Sequence, residues 1–154
     1  MPDIDDSLFD EVADVLAGLV PDDLGPVHQQ PRRWGIKVWF GGDTVTKEHY
    51  EAQVVSRDAV PGATVLALEI GFHAEHPKVA ENDAVLAKLV AGETKWRKTL
   101  GAEPVAGPFL GRADVWRRVS ETWPDPDLSE PGLAFEVGAR LTDYIAALEP
   151  LRRK

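Results

Sequence analysis

One stretch of this chain, residues 64–101, constrains what the rest can fold into. It opens with TVLALEIGFH, in which Leu66, Leu68, Ile70 and Phe72 alternate with Val65, Ala67, Glu69, Gly71 and His73. Period-2 alternation of this kind predicts a strand with one face on a core and the other face polar. After His76 and Pro77, residues Val79, Leu86, Leu89, Val90, Trp96 and Leu100 recur at helical spacing, and Gly101 stands where a helix-ending glycine belongs. A bend at Gly92 and a start at Asn82 are both compatible with that helix. Every other segment must pack against this strand and helix.

Two further alternating runs precede it. Residues 34–40 set Trp34, Ile36, Val38 and Phe40 against Lys37 and Trp39; residues 48–56 set Tyr50, Ala52 and Val54 against His49, Glu51, Gln53 and Val55. The connectors GGDTVTK and RDAVPGA have hairpin length and turn composition. The three runs therefore predict an antiparallel meander. Residues 5–19 predict an N-terminal helix, with Asp5, Asp6 and Ser7 as caps. The Pro- and Gly-punctuated segment 21–33 reads as a connector that leaves His28 exposed. Residues 102–113 read as loop or extended chain; in 114–123, Val115, Trp116, Val119 and Trp123 fit a helical stripe, whereas the aromatic and β-branched content favours a strand. WPDPDLSEPG breaks the chain, Asp127 with Glu130 resembles a capping box, and a last helix carries Leu133, Val137, Leu141, Tyr144, Ile145, Leu148 and Leu151. The expected fold is one α+β domain over 1–154. A three-stranded meander, which one or two later strands can extend, is flanked by N-terminal, central and C-terminal helices.

Composition removes several function classes. There is no cysteine, which excludes disulfides, thiolate metal sites and thiol catalysis. The net charge of −9 opposes nucleic-acid binding, which draws on phosphate neutralisation. The N-terminus lacks the pattern of a signal peptide, and no run reaches the ~20 apolar residues of a membrane span. A cytoplasmic protein without nucleic-acid or membrane partners is expected.

Chemistry, if present, belongs to the polar face of the sheet. With Phe40 paired to Glu48 and Ser56 to Thr64, Lys37 opposes Glu51, Glu51 opposes Glu69, and His49 and His73 lie nearby. Like charges directly opposite are destabilising, so either the register differs by two residues or a cation, a shared proton or Lys37 neutralises the pair. Two carboxylates with imidazoles can bind a divalent metal or act as acid and base. Glu51, Glu69, His49 and His73 are thus the catalytic candidates, and Lys37, Trp39 and Gln53 a candidate binding surface. In FHAEHP a three-residue offset on a strand points His73 and His76 to opposite faces, and Pro77 keeps His76 out of the helical region. His76 is therefore expected at the start of the helix, with His73 exposed beside it.

Asp43 with Glu51-Ala52-Gln53 resembles the PD-(D/E)XK nuclease signature, in which such acids gather Mg²⁺. Here Gln53 stands for the lysine, and no proline precedes Asp43. In element order, size and acidity the chain also resembles class I type III secretion chaperones and Tir-chaperone-like domains. That resemblance implies a homodimeric protein-binding module without catalysis and without a cofactor. The surplus tryptophans Trp39, Trp116 and Trp123 suit such a module. A metal-assisted hydrolase or acid–base enzyme is the competing expectation.

Overall fold

The computed structural model describes residues 6–154, so an N-terminal helix start at Asp5 lies outside the described residues. The chain runs α1 (Leu8–Leu19), β1 (Val27–Arg32), β2 (Gly35–Phe40), β3 (Glu48–Ser56), β4 (Leu66–Ala74), α2 (Val79–Ala91), α3 (Glu93–Leu100), β5 (Val105–Phe109), β6 (Arg112–Pro124) and α4 (Leu133–Arg152). The strands form one antiparallel sheet in the order β1-β2-β3-β4-β6-β5. The α+β class holds, and the meander is the centre of a six-stranded sheet.

The added strands correct one expectation and meet another. Segment 21–33 is not only a connector, because 27–32 pairs with β2, from Val27 opposite Phe40 to Arg32 opposite Gly35. Residues 105–109 likewise pair with β6. Pro31 makes segment 21–33 read as a loop, yet β1 and β5, which carry Pro31 and Pro108, lie at sheet edges, where a missing N–H is tolerated and discourages further strand addition. His28 accordingly lies on a strand.

Alternation of the central strands is as expected. Ile36, Val38, Phe40, Tyr50, Ala52, Leu68, Ile70 and Phe72 join the helical residues Leu8, Phe9, Val12, Leu16, Leu89, Trp96, Leu100, Val137, Leu141, Tyr144 and Ile145 in one core. The helices thus serve one face of the sheet. The central helix is interrupted at Gly92, where a Cβ would stand 2.7 Å from Leu151 Cδ1, so glycine lets α4 close in. The Asp127–Glu130 capping box does not form. Asp127 Oδ1 instead accepts from Ser129 N and Oγ (3.0 and 2.6 Å), and the N-cap of α4 is Gly132.

Asn82 is no helix start but a fully buried clamp. Its Oδ1 accepts from His76 N (2.8 Å), and its Nδ2 donates to His76 O (3.0 Å) and Val115 O (2.8 Å). It fixes the loop after β4 to β6. Asn82→Ala would leave three backbone groups without these partners, and we expect a loss of about 2 kcal/mol in urea unfolding.

The first hairpin has the expected register, with Lys37 opposite Glu51 and Val38 opposite Tyr50. The second differs by two residues: Ser56 pairs with Leu66, Gln53 with Glu69, Glu51 with Gly71 and His49 with His73. Asp125 supplies the reason. Its carboxylate accepts from the backbone N–H groups of Thr64 (2.9 Å to Oδ2), Val65 (2.7 Å) and Leu66 (3.3 Å), which keeps Thr64 and Val65 out of the ladder. The shift removes the carboxylate pair that the other register would have set face to face.

Candidate metal centre

On the polar face, β3 and β4 each carry the pattern His-x-Glu: His49-Tyr50-Glu51 and His73-Ala74-Glu75. Residues two apart on extended chain share a face, so each histidine points the same way as its glutamate. Because His49 and His73 are directly opposite, the local two-fold relation of an antiparallel pair carries His49 onto His73 and Glu51 onto Glu75. Glu75 continues the strand direction beyond Ala74, with its N–H donating to Lys47 O at 2.8 Å. Four side chains from two strands therefore converge on one point.

The four facing atoms are His49 Nε2, Glu51 Oε1, His73 Nδ1 and Glu75 Oε2, and all lie within 4.8 Å of one another. The nitrogen–oxygen separations are 3.1 Å (His49–Glu51), 3.2 Å (His73–Glu51) and 3.4 Å for each histidine to Glu75. A tetrahedral ion with bonds of about 2.0–2.1 Å has ligand–ligand edges of roughly 3.3–3.4 Å. The four nitrogen–oxygen edges are close to that length, and the nitrogen–nitrogen and oxygen–oxygen edges stay within 4.8 Å.

The outer ring nitrogens are already committed. His49 Nδ1 donates to Thr46 O at 2.9 Å, since a carbonyl can only accept. His73 Nε2 donates to Glu69 Oε2 at 3.0 Å. Glu69 is fully buried and also accepts from Ser120 Oγ (2.7 Å) and Gln53 Nε2 (2.8 Å). The inner nitrogens therefore face two carboxylates and need either a proton each or one divalent cation between them. A carboxylate behind an imidazole that faces inward is the usual support of a metal-bound histidine.

Burial alone would drive both imidazoles towards the neutral form. Around His49 the bonds to Glu51 and Glu75 outweigh it, and around His73 the charge of Glu69 and the bonds to Glu51, Glu69 and Glu75 do so, which leaves both pKa values raised. Burial conversely opposes ionisation of the carboxyls, and the imidazoles again win. Glu51 and Glu75 are held below the usual carboxylate range, and Glu69 falls to about 2.

Access is one-sided. The histidines are sealed, and Phe109 stands edge-on to His73 with ring centroids 4.6 Å apart, backed by Trp116. Glu51 and Glu75 keep 10% and 13% of their side chains exposed, in the floor of a depression of about 400 Å³ also lined by Lys37, Gln53, Phe109 and Trp116.

Of the residues singled out from sequence, Glu51, Glu69, His49 and His73 do gather. Glu69 supports His73 from behind and is not one of the four converging ligands. His73, expected to be exposed, is fully buried. His76 points away and contacts Glu48 Oε2 at 2.8 Å. Gln53 serves Glu69, and Lys37 lines the depression without an ion pair to Glu51. Trp39 is removed from the expected binding surface: it is 4% exposed, stacked on His28 with centroids 5.7 Å apart, and donates Nε1–H to Gly42 O at 2.9 Å. Its own chain covers it. Asp43 lies exposed in the β2–β3 loop, 4.0 Å from His28 Nδ1, so the nuclease-like pairing of Asp43 with Glu51 does not form. Glu75, Thr46 and Ser120 escaped the sequence reading. The repeated His-x-Glu was the signal for Glu75, whereas Thr46 and Ser120 depend on register and loop path.

No helix among the described residues is long and apolar enough to cross a membrane. No protein family, no curated protein and no solved structure matches this chain.

Proposed function

We propose that the protein is a divalent-metal protein whose centre is His49, Glu51, His73 and Glu75, and that the centre supports metal-assisted hydrolysis. The observation that carries the reading is the convergence of two imidazole nitrogens and two carboxylate oxygens whose outer hydrogen bonds already fix the metal-binding tautomers. Two imidazoles and two carboxylates suit zinc, iron(II) or manganese better than calcium or magnesium. A bound ion that takes a fifth ligand from the depression would lower the pKa of water there and polarise an ester or amide carbonyl. The chain's own part is to hold the ligands, seal the histidine side and leave the carboxylate side open to the depression. A chaperone-like binding module is the second reading, favoured by Phe135, which is 60% exposed on α4. The tryptophans no longer speak for it: Trp39 and Trp123 pack within the chain, and Trp116 backs Phe109.

A calorimetric zinc titration at two pH values tests the metal centre. Both imidazoles have raised pKa values in the metal-free fold, so the stability they contribute is present at low pH and fades as pH rises through those values. Metal must displace the inner proton of each ring. Affinity should therefore rise up to about a hundredfold per pH unit while both rings are protonated, with protons released on binding. We expect one ion per chain, bound more tightly at pH 7 than at pH 6. No binding at pH 7, or binding indifferent to pH, would count against the centre.

A further inference from the structure

Beside the metal depression lies a second one, of about 380 Å³, and the two share Lys37, Glu51 and Gln53. They form one groove across β2 and β3. In a chain of net charge −9, the charged side chains that line the second depression, Glu51 apart, are all cations: Arg32, Arg33 and Lys37. Arg33 faces Asp6 at the rim (3.2 Å), and Arg32 donates to the neutral Gln30 Oε1 (3.3 Å). Lys37 has no ion pair among the described residues. Its ladder partner is Glu51, whose carboxylate is turned onto the two imidazoles instead.

Building on the metal reading, we propose that this groove is a binding site for a phosphate-bearing small molecule, with the phosphate beside Lys37, the cation that lines both depressions. Once a divalent ion offsets Glu51 and Glu75, the cations dominate the local field, although the molecule as a whole repels anions. Lys37 lines both depressions and can give a charge-assisted bond to an oxyanion beside the metal, while Arg32 and Arg33 add positive charge on the wall of the second. Several cations beside a divalent ion suit the charge of a phosphate dianion better than that of a carboxylate monoanion. The body of the ligand would lie along Trp34, which lines the far end of the groove.

The test uses the full chain loaded with Co²⁺, whose visible absorption reports a change of ligands, titrated with inorganic phosphate and, separately, with acetate. Phosphate should perturb the spectrum at millimolar concentration or below, and acetate at least tenfold more weakly. Lys37→Met should weaken phosphate by about tenfold, the loss of one charge-assisted bond, while Co²⁺ affinity stays within about twofold. Cobalt binding with no phosphate response, equal response to acetate, or full phosphate affinity in Lys37→Met would overturn the groove assignment and leave the metal centre standing. Failure of cobalt to bind would overturn both.

Discussion

Saturating zinc should raise the melting temperature of the wild-type protein by roughly 8–16 °C, and His73→Gln should abolish that shift. An ion present at a thousand times its dissociation constant contributes about 4 kcal/mol to the folded state. For a domain of this size each kcal/mol moves the midpoint by roughly 2–4 °C. His73 is the most consequential ligand because it works at both ring nitrogens: Nδ1 faces Glu51 and Glu75, and Nε2 holds Glu69. Glutamine removes the inner ligand and weakens the support for a fully buried carboxylate. The metal-free variant should therefore also melt below the wild type, by an amount set by the roughly 1–3 kcal/mol cost of an ill-satisfied buried group. His76→Gln provides the contrast. His76 belongs to the same FHAEHP run but pairs with Glu48 outside the cluster, so its variant should keep the whole zinc shift. Equal shifts in wild type and His73→Gln, or loss of the shift in His76→Gln, would place the ion elsewhere.

That contrast also shows what the sequence could and could not convey. Alternation placed Glu51, Glu69, His49 and His73 on one face, because side-chain direction on a strand follows from spacing alone. Which of them touch depends on register, and register was decided by Asp125, which takes the amides of Thr64, Val65 and Leu66 from a position about sixty residues along the chain. A shift of two residues preserves every inward and outward assignment yet replaces Glu69 by Gly71 opposite Glu51, and Gly71 by His73 opposite His49. The alternating run in the sequence ends at His73 and hides Glu75, whereas the strand extends to Ala74 and its direction carries on. Edge strand β1 is hidden by Pro31, since a proline acts as a turn signal in a sequence and as protection at a sheet border. The Asp127–Glu130 box failed for the opposite reason. Its local pattern was satisfied within the turn by Ser129, and the helix started later, after Gly132.

Gly71→Ala should cost about 3 kcal/mol, near the upper end for an overpacked core position, and lower the melting temperature by roughly 6–12 °C. A Cβ at Gly71 would stand 2.3 Å from Val119 O, 2.6 Å from Ser120 Cα and 2.7 Å from Ser120 Cβ. These are mostly backbone atoms of the neighbouring strand, so no rotamer change relieves the clash, and β4 and β6 must part where Gly71 pairs with Ser120. The damage should reach the centre through Ser120. Ser120 would draw away from Glu69 Oε2, which it now approaches to 2.7 Å, loosening the carboxylate that orients His73. The zinc-induced stabilisation of Gly71→Ala should therefore be smaller than that of wild type, beyond its lower starting stability. Gly107→Ala on β5 is the matched control, because its Cβ would meet only Val105 Cγ1, at 3.9 Å. It should melt close to wild type and retain the full zinc response. If Gly71→Ala matched Gly107→Ala in both measurements, the close approach of β6 to β4 would not be what holds the centre together.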